Sequence, residues 1–226
     1  MDIGDIFSDS LGYPSKNLKR VAVLGISFLF SILIIPLLIV IGYALRVIGK
    51  SVEGEAEPPA FDELGTMIVD GLKYLVAVIG YFLIPGILMV MGIMPVIASI
   101  TAGDMMSGGA SVIALLTGSG LFLLGVLLAI VISVIANMGI ANMAHTGELG
   151  AAFRFGEILR IIGSIGWGRY IIWYIVLTII AMLFSVVGTL IALIPILGFI
   201  VYLLLIAPYA LIFQCRAIGL IYREGI

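Results

Sequence analysis

The stretch from Ser27 to Arg46, SFLFSILIIPLLIVIGYALR, limits what this chain can fold into more than any other feature. Lys16, Lys19 and Arg20 precede it, Lys50 follows it, and no charge lies between Arg20 and Arg46. An uncharged apolar run of this length has no polar face to turn to water, so the bilayer is its solvent. Composition extends the point to the whole chain. Of 226 residues 63% are hydrophobic and only 11% charged, and the mean hydropathy is +1.32. A soluble domain keeps about a quarter of its residues charged. The sequence therefore predicts one integral membrane domain over residues 1–226, with no soluble domain beside it.

Four apolar blocks are visible: Val21 to Leu45, about Tyr74 to Thr101, about Ser111 to Ala144, and Tyr170 to Cys215. A helix needs about 20 residues to cross the ~30 Å hydrocarbon core. The fourth block is long enough for two crossings, and Pro195 is the natural turn because it removes a helical donor and restricts Ile194. The fold class expected is an all-α polytopic membrane protein of about five proline-broken transmembrane helices, with short interfacial helices. The segments expected are a leader at 1–20, the first apolar block at 21–48, and an amphipathic helix plus second block at 58–102. The third block follows at 111–145, with Gly118-Ser119-Gly120 as a weak point, then an interfacial helix at 147–166 and a helical hairpin at 169–222.

Three features suggest flat helices or repetition. Asp2, Asp5 and Asp9 alternate with Ile3, Ile6, Phe7 and Leu11 at helical spacing up to Tyr13-Pro14, which reads as an amphipathic leader on the membrane face. Ala60-Phe61 and Ala152-Phe153 each open a short amphipathic segment ending near Gly71 or Gly163. Ile35-Pro36, Ile84-Pro85 and Ile194-Pro195 each lead to a nearby glycine, the pattern of a helix–Pro–helix pseudo-repeat. Trp167, Tyr170, Trp173 and Tyr174 read as an aromatic belt. The small pairs Gly188/Ala192 and Gly147/Ala151 read as helix contacts.

Charge sets the topology. Five crossings place Arg46, Lys50, Lys73, Arg154, Arg160, Arg169, Arg216 and Arg223 on one side, which the positive-inside rule makes cytoplasmic. They leave Lys16, Lys19 and Arg20 on the other. A re-entrant hairpin turning at Pro36 would return all eleven Lys and Arg residues to one side.

The order of short motifs resembles an uncharacterised membrane family of archaea and bacteria, domain of unknown function 4013. The resemblance rests on Gly42-Tyr43 with Arg46-Val47, Pro59 with Phe61-Asp62, and Asp70-Gly71-Leu72-Lys73, with Ala152-Phe153 and Ile194-Pro195 in support. The chain departs from the pattern in lacking a tryptophan shortly after Asp62. The resemblance implies a polytopic membrane protein and supplies no activity or site residue.

The best candidates for chemistry end the third block. Asn137, Asn142, His145 and Glu148 fall within about 140° of a helix surface. They read either as a polar lining with His145 titrating, or as groups that meet water and bond neighbouring helices where the span ends. Asp62 and Asp70 lie on one side of a possible interhelix ionic latch, with Arg154 and Arg160 opposite. One His and one Cys make no usual metal set. Glu53, Glu55 and Glu57 read as a solvated acidic loop. No serine has a neighbouring base, and no phosphate loop or cofactor motif is present. The net charge of −2 excludes a basic nucleic-acid surface. The expectation is a non-enzymatic scaffold, accessory or lipid-interacting subunit of the cell membrane, with lipid, other membrane proteins or a second copy as partners. The alternative is a small transporter or channel with a polar path near Asn137 and His145.

Overall fold

A computed structural model describes residues 1–101 and 109–226. The connection around Asp104 lies outside the described residues. All regular structure among them is helical, and five helices are long and apolar enough to cross a membrane. The described residues cluster in two compact units, one of Met1–Ala77 with Asn137–Ile226, the other of Val78–Ala136. All eleven Lys and Arg residues of the sequence belong to the first.

Helix α1 (Ile3–Gly12) starts at a reciprocal cap. The Asp2 carboxylate accepts from the Ile3 N–H at 2.7 Å, and Asp5 accepts from the Asp2 N–H at 3.1 Å. The expected break at Tyr13-Pro14 is present, followed by a single tight turn at Pro14–Asn17. The apolar face of α1 meets protein rather than lipid: Ile6 is fully buried, and Phe7 packs against Trp173 and Phe213.

The first apolar block is two helices, α2 (Leu18–Leu29) and α3 (Ile34–Glu53), packed on each other. The chain reverses at Phe30–Leu33, where Ser31 Oγ donates to the Phe28 carbonyl at 2.7 Å. The turn is therefore not at Pro36. Pro36 is the third residue of α3, where a missing N–H costs nothing because first-turn donors have no partner anyway.

Helix α4 (Leu64–Thr101) runs unbroken through Pro85 and Pro95, and α5 (Gly109–Thr146) through Gly118-Ser119-Gly120. The segment expected to lie flat from Phe61 to Gly71 is instead the first turns of α4. Gly118 is a packing position rather than a weak point: a Cβ there would stand 2.6 Å from the Gly92 carbonyl oxygen. Close backbone approach of this kind is how helices associate where burial of oil against oil supplies little drive.

After a short turn at Leu149–Phe153, α6 (Phe155–Ile165) buries Ile158, Ile161, Ile162 and Ile165. Gly166, at φ +91°, breaks the chain into α7 (Trp167–Ala192). Tyr170 and Trp173 are fully buried and stacked at 5.5 Å, so they are core and not an aromatic belt; of the four aromatics only Trp167 is well exposed, at 46%. Gly188 does meet a neighbour, the Tyr202 ring, whereas Gly147 sits at φ +74° and ends a helix, with open space where a side chain would stand.

The turn expected at Pro195 is present between α7 and α8 (Leu197–Val201). A widened turn at Tyr202–Ile206 then leads into α9 (Ala207–Arg223). Pro208 has no N–H for the Leu204 carbonyl, and the helix widens there. That carbonyl abuts Gly25 of α2, where a built Cβ would lie only 2.2 Å from it. The three Ile-Pro pairs thus occupy three environments, a first turn, a helix interior and a reversal, and do not form one repeated unit.

Gly25→Leu should force α2 off the widened turn. Overpacking of this kind costs about 1–3 kcal/mol. A thermal scan in mild detergent should show Tm lower by roughly 3–10 °C, while Gly156→Ala, with nothing within 4 Å of its Cβ, should leave it unchanged.

Candidate functional site

The polar row of α5 divides by function. Asn142 is completely buried. Its amide N–H donates to the Ala151 carbonyl at 3.1 Å, and its oxygen accepts from the Tyr222 hydroxyl at 2.7 Å. It ties α5 to the following turn and to α9, and buried polar groups left unpaired would be costly. Asn137 is half-buried. His145 is exposed with its ring 5.9 Å from that of Tyr222, and Glu148 is exposed and paired with Arg154. Beside Asn142 and His145 lies a cavity of about 530 Å³ that Glu157, Arg160, Ser164 and Tyr222 also line.

The ionic latch is not the pairing the structure holds. Asp62 binds Arg46 at 2.6 Å, and Asp70 binds Lys73 at 3.0 Å. Arg154 pairs with Glu148 and, at 3.8 Å, with Glu157, while Arg160 makes no ion pair among the described residues. Each carboxylate found a cation closer along the chain than the one proposed for it. Most of these groups are solvent-exposed, where such pairs contribute about 1 kcal/mol or less. Lys73 has a further role: its Nζ donates to the Gly147 carbonyl at 3.1 Å, capping the end of α5. The acidic loop is likewise engaged, with Glu53 and Glu55 both on Lys50 at 2.8 and 2.9 Å and Glu57 on Arg20 at 3.6 Å. Among the described residues no group of three His, Cys, Asp or Glu side chains converges as a metal set.

The most constrained polar cluster is one the sequence reading treated only as a topological marker. Arg216, on α9, is 5% exposed. Its Nε donates to Asp9 Oδ1 at 2.7 Å and its Nη1 to the Glu55 carbonyl at 2.8 Å. Its guanidinium also lies over the Tyr13 ring, 4.2 Å from the centroid. Tyr13 in turn donates to the Glu57 carbonyl at 2.7 Å. Burial pushes the Tyr13 hydroxyl above its ordinary pKa, against the opposing pull of Arg216. One cation inside the apolar run IFQCRAIG was the available signal. Its partner lies 207 positions away, beyond the reach of any local pattern.

Comparison with known proteins gives one match. The family model described as "Protein of unknown function (DUF4013)" covers residues 25–193, most of the chain, and stops one residue short of Ile194-Pro195. No curated protein and no solved structure matches.

Asn142→Ala should strand the Tyr222 hydroxyl and the Ala151 carbonyl, at about 1–3 kcal/mol for each buried group left unsatisfied. Thermal unfolding in detergent should show a Tm loss of several degrees, partly recovered in the double variant Asn142→Ala/Tyr222→Phe. His145→Ala should change Tm by less than about 1 °C, as exposed side chains generally do.

Proposed function

This chain belongs to the DUF4013 family, and on that premise we propose that it is a non-enzymatic, multi-pass protein of the cell membrane that works by packing against lipid and partner helices. The observation that carries the reading is the distribution of side chains. Leu83, Leu116, Leu127, Leu183 and Leu190 are among the many large apolar residues more than half exposed on α4, α5 and α7. Only lipid or another apolar surface can cover such faces. Many of the polar groups, by contrast, bond one another, as Arg216 with Asp9 and Asn142 with Tyr222.

In the proposed topology α4, α5, α7 and the α8–α9 pair cross the bilayer, and α2–α3 enters and returns. From the reversal at Phe30–Leu33, the apolar arm of α3 reaches Arg46 after twelve residues, about 18 Å. The arm of α2 back to Arg20 is shorter still. Neither uncharged arm fills a ~30 Å core, although α3 with its charged last turns has the length of a span. Arg20 of α2 pairs with Glu57 in the loop after α3, so the two ends of the hairpin meet. Four crossings and one re-entrant hairpin put all eleven Lys and Arg residues on one side, which the positive-inside rule makes cytoplasmic. Helix α9 and the widened turn at Tyr202–Ile206 pack on the arms of the hairpin, while the turn itself, with Ile32 93% exposed, is left for lipid or a partner surface to cover.

The transporter reading draws support from the cavity beside His145 and Arg160. Against it stands Asn142, whose amide is committed on both sides, to the Ala151 carbonyl and the Tyr222 hydroxyl.

Single cysteines read the topology directly, and the buried native Cys215 keeps the background low. With an impermeant thiol reagent applied to intact cells, Leu193→Cys should label, whereas Asp5→Cys and Ile32→Cys should not. Labelling of Asp5→Cys from outside would refute the re-entrant hairpin.

A further inference from the structure

We propose that the notch between α2, α7 and α9 is a specific site for the glycerol linkage of a membrane lipid, with the Gln214 amide as the donor that holds it. This rests on the reading of the protein as lipid-embedded and names the place and the atoms. The notch has a volume of about 220 Å³ and is open on one side. Phe28, Phe184 and Leu211 form apolar walls, and Ala181, Ala207 and Ala210 leave the space. Ser185, Tyr202 and Gln214 supply its polar lining.

Gln214 is half-buried, and its side chain makes no hydrogen bond among the described residues. It lies in the last of the helices apolar enough to cross a membrane. A primary amide facing hydrocarbon without a partner costs several kcal/mol, so something must accept from it. The depth indicates what. Gln214 is two residues, about 3 Å of helix rise, from Arg216 and the charged cluster around it. That is the boundary between charged layer and hydrocarbon. There a glycerolipid carries its ester or ether oxygens, between the polar headgroup and the tails. The notch is small and open on one side, a place for part of a lipid rather than the whole of one. The tails would then leave along the exposed apolar face of α7.

The widened turn at Tyr202–Ile206 makes the notch. It swings Tyr202 against Gly188 and leaves Ile206 and Ala207 as the floor. Side chains larger than alanine at 207 or 210 would fill it.

The test uses the full chain reconstituted in phosphatidylglycerol vesicles with a trace of phosphatidylglycerol bearing a diazirine close to the glycerol. After irradiation, labelled peptides are mapped by mass spectrometry. In the wild type the label should concentrate on Ala181–Ser185 and Tyr202–Gln214. Ala210→Phe should abolish that label. Gln214→Leu, which keeps volume and removes one hydrogen bond, should reduce it about three- to tenfold. Thermal scans identify variants that have lost their fold, and the milder Gln214→Leu decides if Ala210→Phe has. Equal labelling in wild type and both variants, or label spread evenly over α4, α5 and α7, would overturn the site while leaving the lipid-embedded reading intact. No label on any helix would overturn both.

Discussion

The structure depends on how one guanidinium is satisfied. Taking Arg216 out of water costs several kcal/mol, so it must be surrounded by acceptors wherever the chain puts it. It has a carboxylate from α1, a carbonyl from the loop after α3, and the face of Tyr13 from the turn between α1 and α2. Three segments far apart in sequence are thereby required to meet on α9. A buried ion pair is a weak guarantee of net stability but a strict geometrical demand. Tyr43, stacked on Phe61 at 4.2 Å and donating to the Pro59 carbonyl at 3.0 Å, fastens the same loop from the α3 side.

This meeting point explains the short first block. With the loop after α3 held beside Tyr13 and Arg216, and Arg20 paired with Glu57, the two arms of α2–α3 begin and end at one level. The chain reverses between the two arms at Phe30–Leu33. Gly25 lets α2 lie directly on the widened turn of the last span, where Pro208 leaves a carbonyl without its usual donor. The two irregularities complement each other: a helix without a side chain at Gly25, and the Leu204 carbonyl of the widened turn lying against it.

Much of this was legible before any coordinates. The five apolar helices, the reversal at Pro195, the break after Tyr13 and the separate helix before Trp167 follow from length, proline and glycine alone. The positions that misled share a cause. In a chain apolar on every side, periodicity cannot separate a residue facing lipid from one facing protein. Trp173 and Tyr170 therefore looked like a belt and are core. Ile84-Pro85 looked like the centre of a helix–Pro–helix unit, yet α4 continues straight through it. Carboxylates and cations were matched across the chain, although Arg46, Lys73 and Glu148 were nearer partners. Asn142 was rightly singled out as polar, but its role as a fixed tie needed Tyr222, which no spacing rule links to it. Arg216 and Asp9 were each visible, and only the fold brings them together.

The central claim is that Asp9 and Arg216 act as one unit that organises the charged end of the molecule. A double-mutant cycle measures this directly, with Asp9→Asn, Arg216→Met and the double variant unfolded by heat or denaturant in the same detergent. The account predicts that each single change is strongly destabilising and that the double costs clearly less than their sum, by a coupling of about 1–3 kcal/mol. Additivity within about 0.5 kcal/mol, the behaviour of independent sites, would contradict it.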